Sequence, residues 1–208
     1  MNTRARIATW AVAISILLTM TACGPQPDDP EDTGSPETTE TATPTPTPTE
    51  SAEPAIFVQP RQCSSILPQS RLDSFSDQGL TLLGGPGGKF GDDYLSDPTP
   101  ERVAGGITCI WGDNSNDVSS LTISVAPLSP STRPGIVTDL TNQGLNVETL
   151  GNVSRYGQFG DEQSQPAILN VLRPDSWISI ISTFGGQTLY DEAVTLSDEA
   201  AQQAYAAG

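Results

Sequence analysis

Histidine is absent from all 208 residues, and lysine occurs once, as Lys89. Without an imidazole there can be no Ser-His-Asp triad and no Cys-His dyad. The side chain most often used as a general base near neutral pH is missing too, along with the commonest zinc and copper ligand. Basic residues are scarce: 9 Lys and Arg stand against 25 Asp and Glu, a formal net charge of −16. Such an acidic surface repels phosphates, so nucleic acid is not an expected partner. Cysteine occurs only three times. Gly-x-Ser-x-Gly and Ser-x-x-Lys do not occur, and nothing in the sequence calls for a cofactor or a resident metal.

What is present begins with a short basic start, Arg4 and Arg6, followed by an uncharged stretch from Ile7 to Ala22. As a helix those sixteen residues would reach roughly 24 Å, short of the ~30 Å of bilayer hydrocarbon. Length and flanks therefore fit a signal peptide over residues 1–22. The stretch ends in Leu18-Thr19-Met20-Thr21-Ala22-Cys23-Gly24, which resembles the bacterial lipobox, with Met20 at the place usually held by Leu. The resemblance implies cleavage before Cys23 and a diacylglycerol on its sulfur. It also implies a chain held on the outer face of the cell membrane by its acyl groups. Each buried methylene contributes ~0.8 kcal/mol, so two or three chains suffice for stable anchoring.

From Gly24 to Ala55 there is no Lys or Arg, but there are eight acids and the alternating run Thr43-Pro44-Thr45-Pro46-Thr47-Pro48-Thr49. No apolar periodicity runs through it, so residues 23–55 are expected to form a disordered tether. At ~3.1 Å per residue its reach is at most roughly 100 Å.

Residues 56–208 are then one domain, long enough for a conventional core. Leu121, Ile123 and Val125 alternate with Thr122 and Ser124, the mark of a half-buried strand. Ile107, Cys109 and Trp111 share one face in the same way. Strands are also expected at 79–83, near Val147, at 153–159, at 167–172 and at 176–184. Pro68 and Pro134 each open a helix, Gly144 ends the second, and Ser197 is read as the cap of a last helix. Most strands are joined by turns too short for a crossover. The fold class is therefore α+β: an antiparallel sheet with two or three helices packed on one face. Outside the cytoplasm, Cys63 and Cys109 are expected to form a disulfide.

This plan resembles a broad group of actinobacterial lipobox lipoproteins that carry a two-cysteine envelope domain of unknown function. The shared marks are a Thr/Pro/acidic linker, a first cysteine beside a Leu-Pro helix start (Cys63 to Pro68) and a Cys-x-Trp strand (Cys109-Ile110-Trp111). The resemblance implies an envelope location and supplies no catalytic residue.

Two motifs suggest ligand chemistry and fall short of it. Gly84 to Lys89 is one residue shorter than a phosphate loop, and Phe90 stands where Ser or Thr should hold magnesium. Asp113 to Asp117 has oxygens at calcium-loop spacing, but Val118 replaces the required glycine. The segment from Gly84 to Ala104 is rich in Gly, Pro and Asp and reads as a long loop, the first choice for a binding surface. Its candidate contact residues are Lys89, Phe90, Asp92, Asp93 and Tyr94. The functional expectation is a non-catalytic binding or adaptor module, with a cell-wall component, a small ligand or an envelope protein as its partner. The alternative is a carboxylate-based hydrolase acting on wall glycans, which needs two acids converging in one cleft, one of them buried.

Overall fold

A computed structural model describes residues 55–205, all within a compact unit spanning Ser51–Gly208. The signal peptide, Cys23 and nearly all of the tether lie outside the described residues.

After a 3-10 turn at Cys63–Ser65 the chain forms α1 (Gln69–Asp77), β1 (Leu80–Gly84), a second 3-10 turn (Gly91–Tyr94) and the short α2 (Pro100–Val103). There follow β2 (Ile107–Asp113), β3 (Val118–Pro127), α3 (Arg133–Asn142), β4 (Asn146–Leu150), β5 (Val153–Gln158), β6 (Ala167–Leu172), β7 (Ser176–Ser182) and α4 (Gln187–Tyr205). The seven strands make one sheet in the order β1-β2-β3-β7-β6-β5-β4, with every neighbour antiparallel. It consists of two meanders, β1 to β3 and β4 to β7, that meet where β3 pairs with β7. The chain reaches the far edge of the sheet, at β4, through α3.

The α+β reading therefore holds, with α1 and α4 together on one face. That face carries Ile107, Cys109, Trp111, Ile123, Val125, Leu169, Val171, Ile178 and Ile180, the alternate residues of four adjacent strands. Against them α4 lays Ala193, Leu196, Ala200, Ala201 and Ala204, spaced at helical period. Arg71 of α1 clamps α4 through a bidentate pair with Glu199 (2.8 and 2.7 Å) and a third contact with Glu192 (2.8 Å). The Cys63–Cys109 disulfide is formed, with Cα atoms 5.6 Å apart, and pins the first turn to β2 inside this core.

Two expectations are corrected. Ser197 does not cap the last helix. It lies buried inside α4 with its hydroxyl donating to the Val194 carbonyl (2.8 Å), because the helix already starts at Gln187. The segment from Gly84 to Ala104 is not structureless either. It holds the 3-10 turn and α2, and β1 carbonyls bind its backbone: Lys89 N–H donates to Leu82 (3.0 Å) and Phe90 N–H to Leu83 (2.8 Å). Gly85 makes this folding-back feasible. Its φ is +92°, and a Cβ there would strike the Thr108 carbonyl and Cys63 Sγ.

Candidate functional site

The second face of the sheet carries the other set of alternating residues: Thr108 and Ile110, Thr122, Ser124 and Ala126, Ile168, Asn170 and Leu172, Trp177, Ser179 and Ile181. A polar set in this position is ordinarily a solvated face. Here Thr108, Ser124, Asn170 and Ser179 are each no more than 3% exposed, because α2 and α3 lie over them. Helix α3 packs Leu140 against Trp177, Leu172, Ala126 and Tyr156 at one end of this face. Arg133 fixes its start by donating to the Arg173 carbonyl (2.7 Å). Helix α2 is placed by Thr99, whose hydroxyl accepts from the Arg102 N–H (3.3 Å), and by Arg102, which pairs with Asp92 (3.3 Å).

Between these two helices and the sheet lies a cavity of about 620 Å³. Thr122, Ser124, Ile168, Asn170, Trp177, Ser179 and Ile181 form its floor. Pro98 to Glu101, with Val103 and Ala104, make one wall, and Ile136, Asp139 and Leu140 of α3, with Gln143 just after it, make the other. The volume lies within the range of small-molecule sites, and the lining has their usual make-up, apolar walls with a few inward polar groups.

The polar groups form a row, hydrogen-bonded to one another at its Thr99–Ser124 end. The Thr99 and Thr108 hydroxyls are 2.6 Å apart, and Thr108 and Ser124 hydroxyls 2.9 Å apart. Ser179 and Asn170 continue the row across β7 and β6, since Ser124 is registered with Ser179 and Ser179 with Asn170. The Trp177 indole N–H donates to Asn170 Oδ1 (2.9 Å). Burying these groups would be costly if they were unpaired, and the row offsets much of that cost.

Among the described residues Glu101 is the one buried acid, 6% exposed, and it lies on the wall opposite α3. Burial pushes its carboxyl above the ordinary glutamate range; its own backbone N–H and the Ser179 and Thr99 hydroxyls oppose that shift. Among the described residues no salt bridge involves Glu101. Asp139, exposed on α3, is the other acid lining the cavity, and no Lys or Arg lines it.

The five loop residues singled out from the sequence sit elsewhere. Lys89 pairs with Asp117 (2.7 Å) and lies 5.0 Å from the Phe90 ring centroid. The Tyr94 hydroxyl donates to the Asp117 carbonyl (2.9 Å), and its ring centroid is 6.0 Å from that of Phe90. Asp92 holds Arg102, while Asp93 is exposed in the 3-10 turn. Lys89, Phe90 and Tyr94 thus cluster by the β2–β3 turn, outside the cavity. What joins the cavity is the other end of the same segment, Pro98 to Ala104. Asp113 spends its carboxylate on the Ser115 N–H (2.7 Å), and among the described residues no three potential ligands gather for a metal.

Thr108, Ser124, Asn170 and Ser179 carry no local site signal in the sequence, and Glu101 reads there, beside Asp92, Asp93 and Asp97, as part of a solvated acidic loop, a reading that its burial corrects. The available signal was a polar residue recurring on the same face of four strands that are hydrophobic on the other. No protein-family model matches the chain, and no curated protein and no solved structure matches it either.

Proposed function

We propose that the chain is a lipid-anchored extracytoplasmic binding protein whose domain holds a small, mostly apolar ligand in the cavity between α2, α3 and the sheet. The observation that carries this reading is the cavity itself: about 620 Å³, apolar-walled, with a prepared row of hydroxyl and amide groups on its floor. The disulfide supports an oxidising, extracytoplasmic setting, and the lipobox-like Leu18 to Cys23 supports the tether.

Native mass spectrometry of the exported protein tests the binding reading. A bound organic mass should accompany the wild type and be lost from Ile168→Trp, which fills the floor. An Ile168→Trp protein that retains the same mass, or a wild type that carries none, contradicts the reading. Mass spectrometry of Cys23→Ser tests the anchor: the acyl mass should vanish and the protein appear in the medium.

One observation favours a hydrolase as the second reading. Glu101, buried with a raised pKa, and the exposed Asp139 line the same cavity. Glycan cleavage uses such a pair, one acid protonated and one ionised. The mainly apolar walls suit a hydroxyl-rich glycan poorly, so binding without turnover is the stronger reading. Release of reducing ends from wall glycan by the wild type, and its loss in Glu101→Gln, would reverse that order.

A further inference from the structure

We infer that the ligand of this cavity is an amphiphilic cation, a basic nitrogen on a compact apolar body, with Glu101 as its deep counter-charge and Asp139 as a second acid on the exposed α3 wall. The inference rests on the reading of the cavity as a ligand site and goes further by naming the chemistry of the occupant.

Charge complementarity carries it. The ionisable groups lining the cavity are two carboxyls, with no basic side chain among them. Every charged neighbour that could neutralise Glu101 from an adjoining element is engaged elsewhere. Arg102, next to it on α2, binds the carboxylate and the carbonyl of Asp92, each at 3.3 Å. Arg133, at the start of α3, is turned to the Arg173 carbonyl (2.7 Å) and the Leu172 carbonyl (3.5 Å). From β3, β6 and β7 the floor offers only neutral polar groups, Thr122, Ser124, Asn170, Ser179 and Trp177, and the neighbouring Thr108 of β2 is neutral too. An acid buried without a counter-ion is a standing cost, and a ligand ammonium removes it.

The remaining features fit the same occupant. Hydroxyl and amide oxygens accept hydrogen bonds from an ammonium, and Trp177 adds an aromatic surface of the kind that attracts cations. Ile136, Leu140, Ile168 and Ile181 would cover the apolar body. An anionic amphiphile, such as a fatty acid, would place its charge beside two carboxyls and find no basic side chain in the lining to pair with.

Three probes with one apolar body separate the terms: adamantane-methylamine, adamantane-methanol and adamantane-carboxylate. They are titrated calorimetrically into the full lipidated chain in nanodiscs, with empty nanodiscs as the blank. The amine should bind at least about tenfold more tightly than the alcohol, the factor a charge-assisted hydrogen bond supplies. The carboxylate should bind most weakly. Glu101→Gln, close in shape to the native side chain, should bring the amine down to the level of the alcohol. A near-UV circular dichroism spectrum matching that of the wild type shows that the variant is folded. Equal binding of amine and alcohol by the wild type, or an amine preference that survives Glu101→Gln, overturns the cation inference while the cavity reading stands. No binding of any probe, together with the same retained mass in wild type and Ile168→Trp, overturns both.

Discussion

At the residue scale the informative side chain is Glu101. It reaches the interior because Thr99-Pro100-Glu101 forms the first turn of a helix: Thr99 caps it, and Pro100 needs no N–H partner at its first position. A carboxyl whose pKa is raised on folding holds its proton more tightly in the native state than in the unfolded one. The contribution of Glu101 is therefore fully present at low pH and is lost as pH rises from 4.5, its ordinary value, through the raised native value. Urea unfolding across that window should show wild-type stability falling with pH more steeply than that of Glu101→Gln. Parallel pH profiles for the two proteins would mean that the carboxyl is solvated. Asp161 shows the opposite behaviour at the surface. Its Oδ1 accepts the N–H groups of Gln163, Ser164 and Gln165 at 2.9, 2.6 and 3.2 Å, which holds its pKa below the usual carboxylate range. Asp161→Ala should accelerate hydrogen exchange at those three amides and leave the global unfolding midpoint unchanged.

At the element scale, the segments that follow simple periodicity were legible. In β3 the apolar residues alternate, and α3 carries Pro134 in its first turn and is followed by Gly144 with φ +77°. The first half of α4 was not legible. Thr188, Tyr190, Val194 and Thr195 have modest helix propensity, and packing of Ala193 and Leu196 on the sheet overrides it. The site was harder still to read. Glu101, Thr108, Ser124, Asn170 and Ser179 come from five elements, and their polar face reads locally as a solvated one. What buries that face is the course of the chain, because β3 leads to β4 at the far edge through α3, over β7 and β6. No local pattern encodes that crossing. Helix α3 is also held by few strong contacts, among them the Arg133 bond to the Arg173 carbonyl. Arg133→Ala should raise hydrogen exchange in α3 selectively and weaken retention of the cavity ligand, with β3 and β7 unaffected. Uniform exchange across sheet and helix would contradict that division.

At the scale of the whole molecule, the disulfide and the sheet divide the work. The two cysteines are 46 positions apart, and closing such a loop restricts the unfolded chain by about 4 kcal/mol in the chain-entropy picture. A Cys63→Ala/Cys109→Ala double variant should lose stability on that scale in chemical denaturation, through the α1/α4 side of the sheet where both residues are buried. An unchanged midpoint would show that the cross-link restricts little. The cavity lies on the other face, beside the smaller Leu140–Trp177 cluster, so the larger core and the space proposed for the ligand are separated by the thickness of the sheet. That separation lets Glu101 and its neighbours carry a standing electrostatic cost without weakening the packed side.

The most direct test of the central claim is to locate an occupant. Crystals of the protein soaked with a bromo-substituted adamantane-methylamine should give an anomalous peak between Trp177 and Ile136, with the amine toward Glu101. A peak only on the outer surface, or an unoccupied cavity beside intact α2 and α3, would contradict the account.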